Sequence, residues 1–249
     1  MTLIAHARAH VAKNIGPQFH QKRLDKLEAL KLDQILRRKN PYLFRAKAVD
    51  TAADLVRQLL DAHLSSSEEA LFGDFLESLA ISVCMKAFGG RKSTTEDIDL
   101  EFERDGRRFV VAIKSGPNWG NSSQIRKMID GFNKARRIAG PRHPVVAVNG
   151  CCYGRDANPE KERGNYSKLC GQEFWELISG QDNLYVDLIE PIGQRAFARN
   201  QAFAKSYAAV LNKFTLGFAQ AFCSETGFID WERLLIFNSG SPRVESSKG

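Results

Sequence analysis

Three side chains of this sequence have the types and spacing to do chemistry together: Glu77, Asp99 and Lys114. The run Asp97-Ile98-Asp99-Leu100-Glu101-Phe102 alternates acidic and apolar residues with period two, which predicts a strand with one acidic face. Asp105-Gly106 is a hairpin signal. Phe109 to Ile113 then form a nearly continuous apolar strand that ends in Lys114, the pattern of a strand covered on both faces. A turn at Asp105-Gly106 pairs Asp99 with a residue near 112, so Asp99 and Lys114 are predicted neighbours. Arg108, Val110, Ala112 and Lys114 share one face of the second strand, and Asp97, Asp99 and Glu101 share one face of the first.

Glu77 lies on the helix that precedes this hairpin. Its helical neighbours Ala70, Gly73, Ile81 and Cys84 are small or apolar and let that face approach a sheet closely. A carboxylate in such company is costly to bury unless a cation or a proton offsets its charge. A divalent metal shared with Asp99 would do so. Mg²⁺ prefers hard oxygen ligands and keeps several waters, so Asp99, Glu77 and the backbone carbonyl of Ile113 suffice to hold it. Two carboxylates and a lysine at a strand end suit hydrolysis of a phosphodiester. By spacing alone, Asp99 and Lys114 also describe a plain cross-strand ion pair worth a few tenths of a kcal/mol.

The elements that must position these residues follow from the surrounding pattern. Ser65-Ser66-Ser67 with Glu68 and Glu69 predicts a helix start, and Gly89-Gly90 its stop. The polar loop at 115–124 leads into a helix from about Ser122 to Ile138. Its residues Asn118, Trp119, Asn121, Ser122, Ser123 and Gln124, with Arg126 and Lys127 on the helix, are candidate phosphate contacts, because uncharged donors before a helix N-terminus suit phosphate. Val145 to Val148 is a further apolar strand. Leu184 to Ile189 is strand-like, 195–223 an amphipathic helix, and Asp230 caps a last helix. Strand, hairpin partner, helix and strand in that order predict an α/β (α+β) fold with a mixed central sheet flanked by helices. Residues 1–62 read as a basic helical N-terminal arm, with one helix through Leu24 to Leu36 and another from Thr51 to about 62. Residues 63–240 read as the core with C-terminal helices, and 241–249 as a disordered tail.

Composition narrows the classes. With 43% hydrophobic and 26% charged residues the chain is an ordinary globular one, and its apolar runs are too short to span a bilayer. MTLIAHARAHVAK carries no apolar stretch of secretory length, which predicts a cytoplasmic protein. Thirty-six Lys and Arg against 29 Asp and Glu leave a net charge of +7, suited to a polyanionic partner. The five cysteines lack metal-site spacing and are predicted to be reduced and mostly buried.

Longer strings carry a resemblance. SSSEEALFGDFLESLAI (65–81), GGRKSTTEDIDLEF (89–102), VAIKSGPNWGNSSQ (111–124), VNGCCYGRD (148–156), CGQEFWELISG (170–180) and FIDWERLLIFNSG (228–240) resemble the PD-(D/E)XK nuclease core, specifically type II restriction endonucleases of the PmeII type. The resemblance implies that Asp99 is the metal-binding aspartate, Lys114 the motif lysine, and Glu77 the helix carboxylate that many such enzymes carry. It further implies a Mg²⁺-dependent homodimer that cuts double-stranded DNA in a restriction-modification system, leaving 5′-phosphate and 3′-hydroxyl ends. One position departs from the motif: the acid two residues before the lysine is Ala112 here. Glu77 supplies the missing carboxylate, with Glu101 as the alternative, or the chain is a DNA-binding protein that no longer cuts. A structure-specific repair or recombination nuclease is the other reading of the same fold.

Overall fold

A computed structural model of the protein describes residues 1–141, 144–158, 160–194 and 196–241. The helices are α1 (Leu3–Ile15), followed by a π-helical turn at Gly16–Gln21, α2 (Lys22–Glu28), α3 (Leu32–Leu36), α4 (Pro41–Ala46), α5 (Ala52–Phe88), α6 (Ser122–Ala139), α7 (Gln172–Ser179), α8 (Leu184–Asp187), α9 (Ile189–Gly193), α10 (Ala196–Phe222) and α11 (Trp231–Ser239). The strands are β1 (Arg91–Lys92), β2 (Leu100–Arg104), β3 (Arg107–Lys114), β4 (Val145–Cys151) and β5 (Ser167–Cys170).

The five strands make one sheet in the order β1-β2-β3-β4-β5. The pairs β1/β2 and β2/β3 are antiparallel, whereas β3/β4 and β4/β5 are parallel. The antiparallel register is set by the hairpin. Asp105 and Gly106 both take positive φ (52° and 70°), as a two-residue turn matching strand twist requires, and Arg104 pairs with Arg107 across them. The parallel pair β3/β4 needs a crossover, which α6 supplies.

The chain divides into two compact units: residues 1–20 with 69–196, and residues 21–68 with the segment from 197 onward. In the first, α5 and α7 cover one sheet face. Phe75, Leu79, Val83, Phe174 and Ile178 pack there with Leu100, Val111, Ile113 and Val148. On the other face α6 sets Met128, Phe132 and Ala135 against Val110, Ala112 and Ala147. Each fully buried side chain of this size contributes about 1.5–3 kcal/mol. This is the mixed sheet with flanking helices that the sequence pattern predicts. In the second unit, Leu55, Val56, Leu59 and Leu60 pack with Phe214, Phe218 and Phe222 of α10.

Several elements differ from the sequence reading. Ser65–Ser67 do not start a helix, because α5 runs unbroken from Ala52 to Phe88. Thr51 caps it by accepting the Asp54 N–H at 3.1 Å, and no proline or glycine interrupts the buried series Leu60, Leu64, Leu71. Ser66 turns its hydroxyl back to the Ala62 carbonyl instead. The stop is where it was expected, at Gly89 with φ +68°. The helix through Leu24–Leu36 is split into α2 and α3. Leu184–Ile189 is helical, not a strand: Leu184 and Leu188, four apart, are buried, while Tyr185, Val186 and Ile189 are exposed. The strands not expected from the sequence are β1, only two residues long, and β5, whose four residues carry little periodicity. The expected tail lies, from residue 242 onward, outside the described residues.

Candidate active site

The candidate residues meet where β2 begins and β3 ends. Asp99 directly precedes β2, and its N–H donates to the Val111 carbonyl at 2.9 Å, which extends the ladder by one residue. Asp99 is therefore cross-strand from Ala112 and diagonal to Lys114. Its Oδ2 accepts the Ile113 N–H at 2.6 Å and stands 4.0 Å from Lys114 Nζ. Asp97 is not on the strand: its backbone is left-handed (φ 61°).

Lys114 is held from both ends. Its carbonyl accepts the Cys152 N–H at 2.9 Å, on the β4 side, and its ammonium lies 5.0 Å from the centre of the Trp119 ring. Along a strand, N–H and C=O of one residue point to the same edge and successive residues alternate. Lys114 O points toward β4, so the Ile113 carbonyl turns to the opposite edge, where its own N–H already meets Asp99.

Glu77 comes to this place from α5. Gly73, one turn earlier, lets that helix approach the end of β3: a Cβ built on it would meet Ser115 Oγ at 3.3 Å. The Glu77 carboxyl is pushed above its ordinary range by burial first and by the Asp99 charge second, against a partial pull from Lys92. Lys92 on β1, whose Nζ is 3.6 Å from Glu77 Oε1, is 71% exposed, so this ion pair offsets little. The Cys152 thiol beneath is likewise pushed up by burial and by the charges of Glu77 and Asp99. Asp99 thus adds to the cost of burying the Glu77 carboxylate, which Lys92 and Lys114 offset only in part, so the two acids form an under-compensated pair. That, with the hard oxygen of Ile113, is a donor set that fits a divalent cation of the Mg²⁺ type. Among the described residues no group of three His, Cys, Asp or Glu side chains could hold a metal. Any cation here would rely on two carboxylates, backbone oxygen and water.

Glu101 does not join them. It is buried, accepts a 2.6 Å bond from Ser93 and 3.0 Å bonds from Arg91 and Arg108. Burial raises its pKa, but these donors and charges outweigh it and hold the carboxyl low. Its oxygens are spent on structure.

The loop after Lys114 is fixed by hydrogen bonds. Tyr153 N–H donates to Ser115 O at 3.0 Å, and Lys168 Nζ to Pro117 O at 2.9 Å. Asn121 caps α6, accepting the N–H groups of Ser123 and Gln124 at 3.1 Å each, while Gln124 Oε1 accepts the Asn121 N–H at 2.9 Å. Two helix N-terminal donors expected for phosphate are therefore satisfied internally; the amide nitrogens of Asn121 and Gln124 stay available. Asn118, Asn121, Ser122, Ser123, Gln124, Arg126 and Lys127 are exposed, and Trp119 is half-buried against the α6-side cluster. Sequence reasoning missed Lys92, because a two-residue strand leaves no period to read. Tyr153, from the VNGCCYGRD string, donates its hydroxyl to Glu69 at 3.3 Å.

A mixed five-stranded sheet, helices on both faces and a carboxylate–lysine cluster at a strand end together have the character of a restriction-endonuclease-like fold. The sequence model of the type II restriction endonuclease EcoO109I family matches residues 6–200, and the chain belongs to that family. It is accordingly a nuclease of the restriction class, a hydrolase acting on DNA, and the family generally uses a divalent metal. A search of curated proteins returned no match. Among the described residues no helix is long and apolar enough to cross a membrane.

Proposed function

We propose that the protein is a Mg²⁺-dependent, site-specific endonuclease with a PD-(D/E)XK core of the PmeII type. It cuts double-stranded DNA as a cytoplasmic homodimer in a restriction-modification system. The observation that carries this reading is the convergence of Glu77, Asp99 and Lys114 on the end of β3, with the Glu77 carboxyl held above its ordinary range by burial first and by the Asp99 charge second. Glu77, Asp99 and the Ile113 carbonyl would hold the ion, which when bound supplies charge stabilisation at the phosphate and eases deprotonation of water.

The chain's own groups then have distinct tasks. Asp99 is oriented by the Ile113 N–H, so its second oxygen is aimed without side-chain freedom. Lys114, fixed between Asp99 and Trp119, presents its ammonium to the scissile phosphate and stabilises the charge that grows on the non-bridging oxygens. Water forms the new O–P bond and the P–O3′ bond breaks, leaving a 5′-phosphate and a 3′-hydroxyl. Asn118, Ser122, Ser123, Arg126 and Lys127 contact the backbone from the loop and the first turns of α6. Two copies related by a two-fold axis cut the two strands.

The test is digestion of a fully sequenced linear phage DNA with Mg²⁺ or with EDTA. Discrete fragments in the Mg²⁺ lane alone are expected, and mapping their ends gives the target and stagger. Ala112 supports a second reading, because the position that carries the motif acid is fully buried and apolar here. A DNA-binding protein that no longer cuts would shift the DNA in a gel and leave it intact in both lanes.

A further inference from the structure

The helical unit carries a concave cationic site that the chemistry above does not use. Lys26 of α2, Gln34 of α3, Lys39 in the turn that follows, and His63, Ser66 and Ser67 of α5 line a cleft of about 490 Å³. Positions 63, 66 and 67 are three and four apart and so share one face of α5. Lys39 leans over that face, its Nζ donating to the Ala62 carbonyl at 3.4 Å, which leaves further ammonium protons for a ligand. No acid lines the cleft. Among the described residues no carboxylate pairs within 4.0 Å with Lys26, Arg38 or Lys39.

Four acids of the same helices are engaged elsewhere, while Asp33 of α3 is exposed and outside the cleft lining. Asp25 accepts from Gln21, Glu28 from Ser206, Asp61 from Tyr207, and Glu68 from Arg23. The His63 imidazole is held below its ordinary pKa by burial and by the charges of Lys39, Arg38 and Lys26. A cationic run on a convex helix face splays into water and needs no partner. Here Lys26 and Lys39 line a concavity together with a half-buried imidazole, which gives it a positive potential suited to an anion.

We propose that this cleft is a phosphate-oxyanion site, with Lys26, Lys39, His63 and Ser67 as donors. The proposal rests on the nuclease reading for its source: a chain that acts on DNA meets backbone phosphates first, and the cleft is a sequence-independent contact to one of them.

The experiment uses the full-length protein in EDTA, so that no DNA is cut. It compares Lys26→Ala, Lys39→Ala and Lys39→Arg on a duplex with the target and one without. Each alanine variant is expected to reduce the slope of log affinity against log salt by about 1, a loss of about eightfold near 0.1 M salt, equally on both duplexes. Lys39→Arg is expected to restore the slope. Lys26 is exposed, so its removal carries little folding risk. In parallel, the His63 resonance is titrated by NMR with the duplex and with inorganic pyrophosphate; either bound phosphate raises its pKa. Response to pyrophosphate alone, with unchanged salt slopes, assigns the cleft to a free phosphate and removes the DNA source. Unchanged slopes together with a His63 pKa indifferent to both ligands overturn the proposal. A protein that binds DNA but never cuts it leaves all these readouts measurable, so failure of the nuclease reading is seen separately.

Discussion

Asp99 Oδ2 accepts the backbone N–H of Ile113 at 2.6 Å and at the same time stands 4.0 Å from the ammonium of Lys114. One carboxylate thus ties the entry of β2 to the exit of β3 and fixes where the lysine charge can sit. Lys114→Ala removes that charge while leaving the Asp99–Ile113 bond in place. Cutting is expected to fall by at least about 10²–10³-fold, the scale of one lost electrostatic stabiliser. Specific binding, read by gel shift in EDTA, should persist. Normal cutting by the variant would take Lys114 out of the chemistry.

The carboxylate pair makes a second prediction. In metal-free protein Glu77 and Asp99 repel each other, so Glu77→Gln should stabilise the fold slightly, by about 0.5–1 kcal/mol for a partly screened charge pair, and raise Tm accordingly. Mg²⁺ should stabilise the wild type by mass action and fail to stabilise the variant. Differential scanning with and without Mg²⁺ reads both effects. Equal Mg²⁺ stabilisation of the two proteins would move the ion away from Glu77.

The arrangement of the site was legible where local rules set it. Asp105-Gly106 admits one hairpin register, and from that register the Asp99–Lys114 proximity follows. Glu77 was legible because a lone acid stood among Ala70, Gly73, Ile81 and Cys84. What could not be read has physical reasons. Arg91–Lys92 is too short to show a period. Leu184–Ile189 has an apolar content compatible with strand or helix, and only burial of Leu184 and Leu188 decides it. The serines at 65–67 favour a helix start locally, but packing on either side of them carries α5 through. Asn121 and Gln124 read as phosphate donors, yet their spacing is also that of a capping box, and the helix takes them first.

The pH dependence has opposite signs at two carboxylates. Glu77 titrates above its ordinary 4.5 in the folded protein, so between 4.5 and its folded pKa the native state binds more protons than the unfolded chain. Its contribution to metal-free stability therefore declines as pH rises through that window. Glu101 is held below 4.5, so its contribution is complete above 4.5 and is lost as pH falls through its folded pKa. Tm measured against pH should show Glu77→Gln losing the first dependence and Glu101→Gln the second. Because a cation competes with the proton on Glu77, the acid limb of cutting should move to lower pH as Mg²⁺ is raised. An acid limb unmoved by Mg²⁺ would show that Glu77 protonation is not what limits the reaction.

Restoring the motif acid is the sharpest test of which carboxylate the site uses. Ala112 is fully buried in the cluster with Met128 and Phe132, cross-strand from Asp99 and paired in register with Asn149 on β4. A glutamate there has no unspent cation at hand, because Lys114 already faces Asp99 and Trp119. Overpacking alone costs about 1–3 kcal/mol, and the added carboxyl must stay protonated or lose more. Ala112→Glu is therefore expected to lower Tm and leave Mg²⁺ affinity and cutting no better than wild type. Combined with Glu77→Gln it should not restore cutting. Recovery of activity in that double variant would place the second metal carboxylate at position 112 and reduce Glu77 to a neighbour of the site.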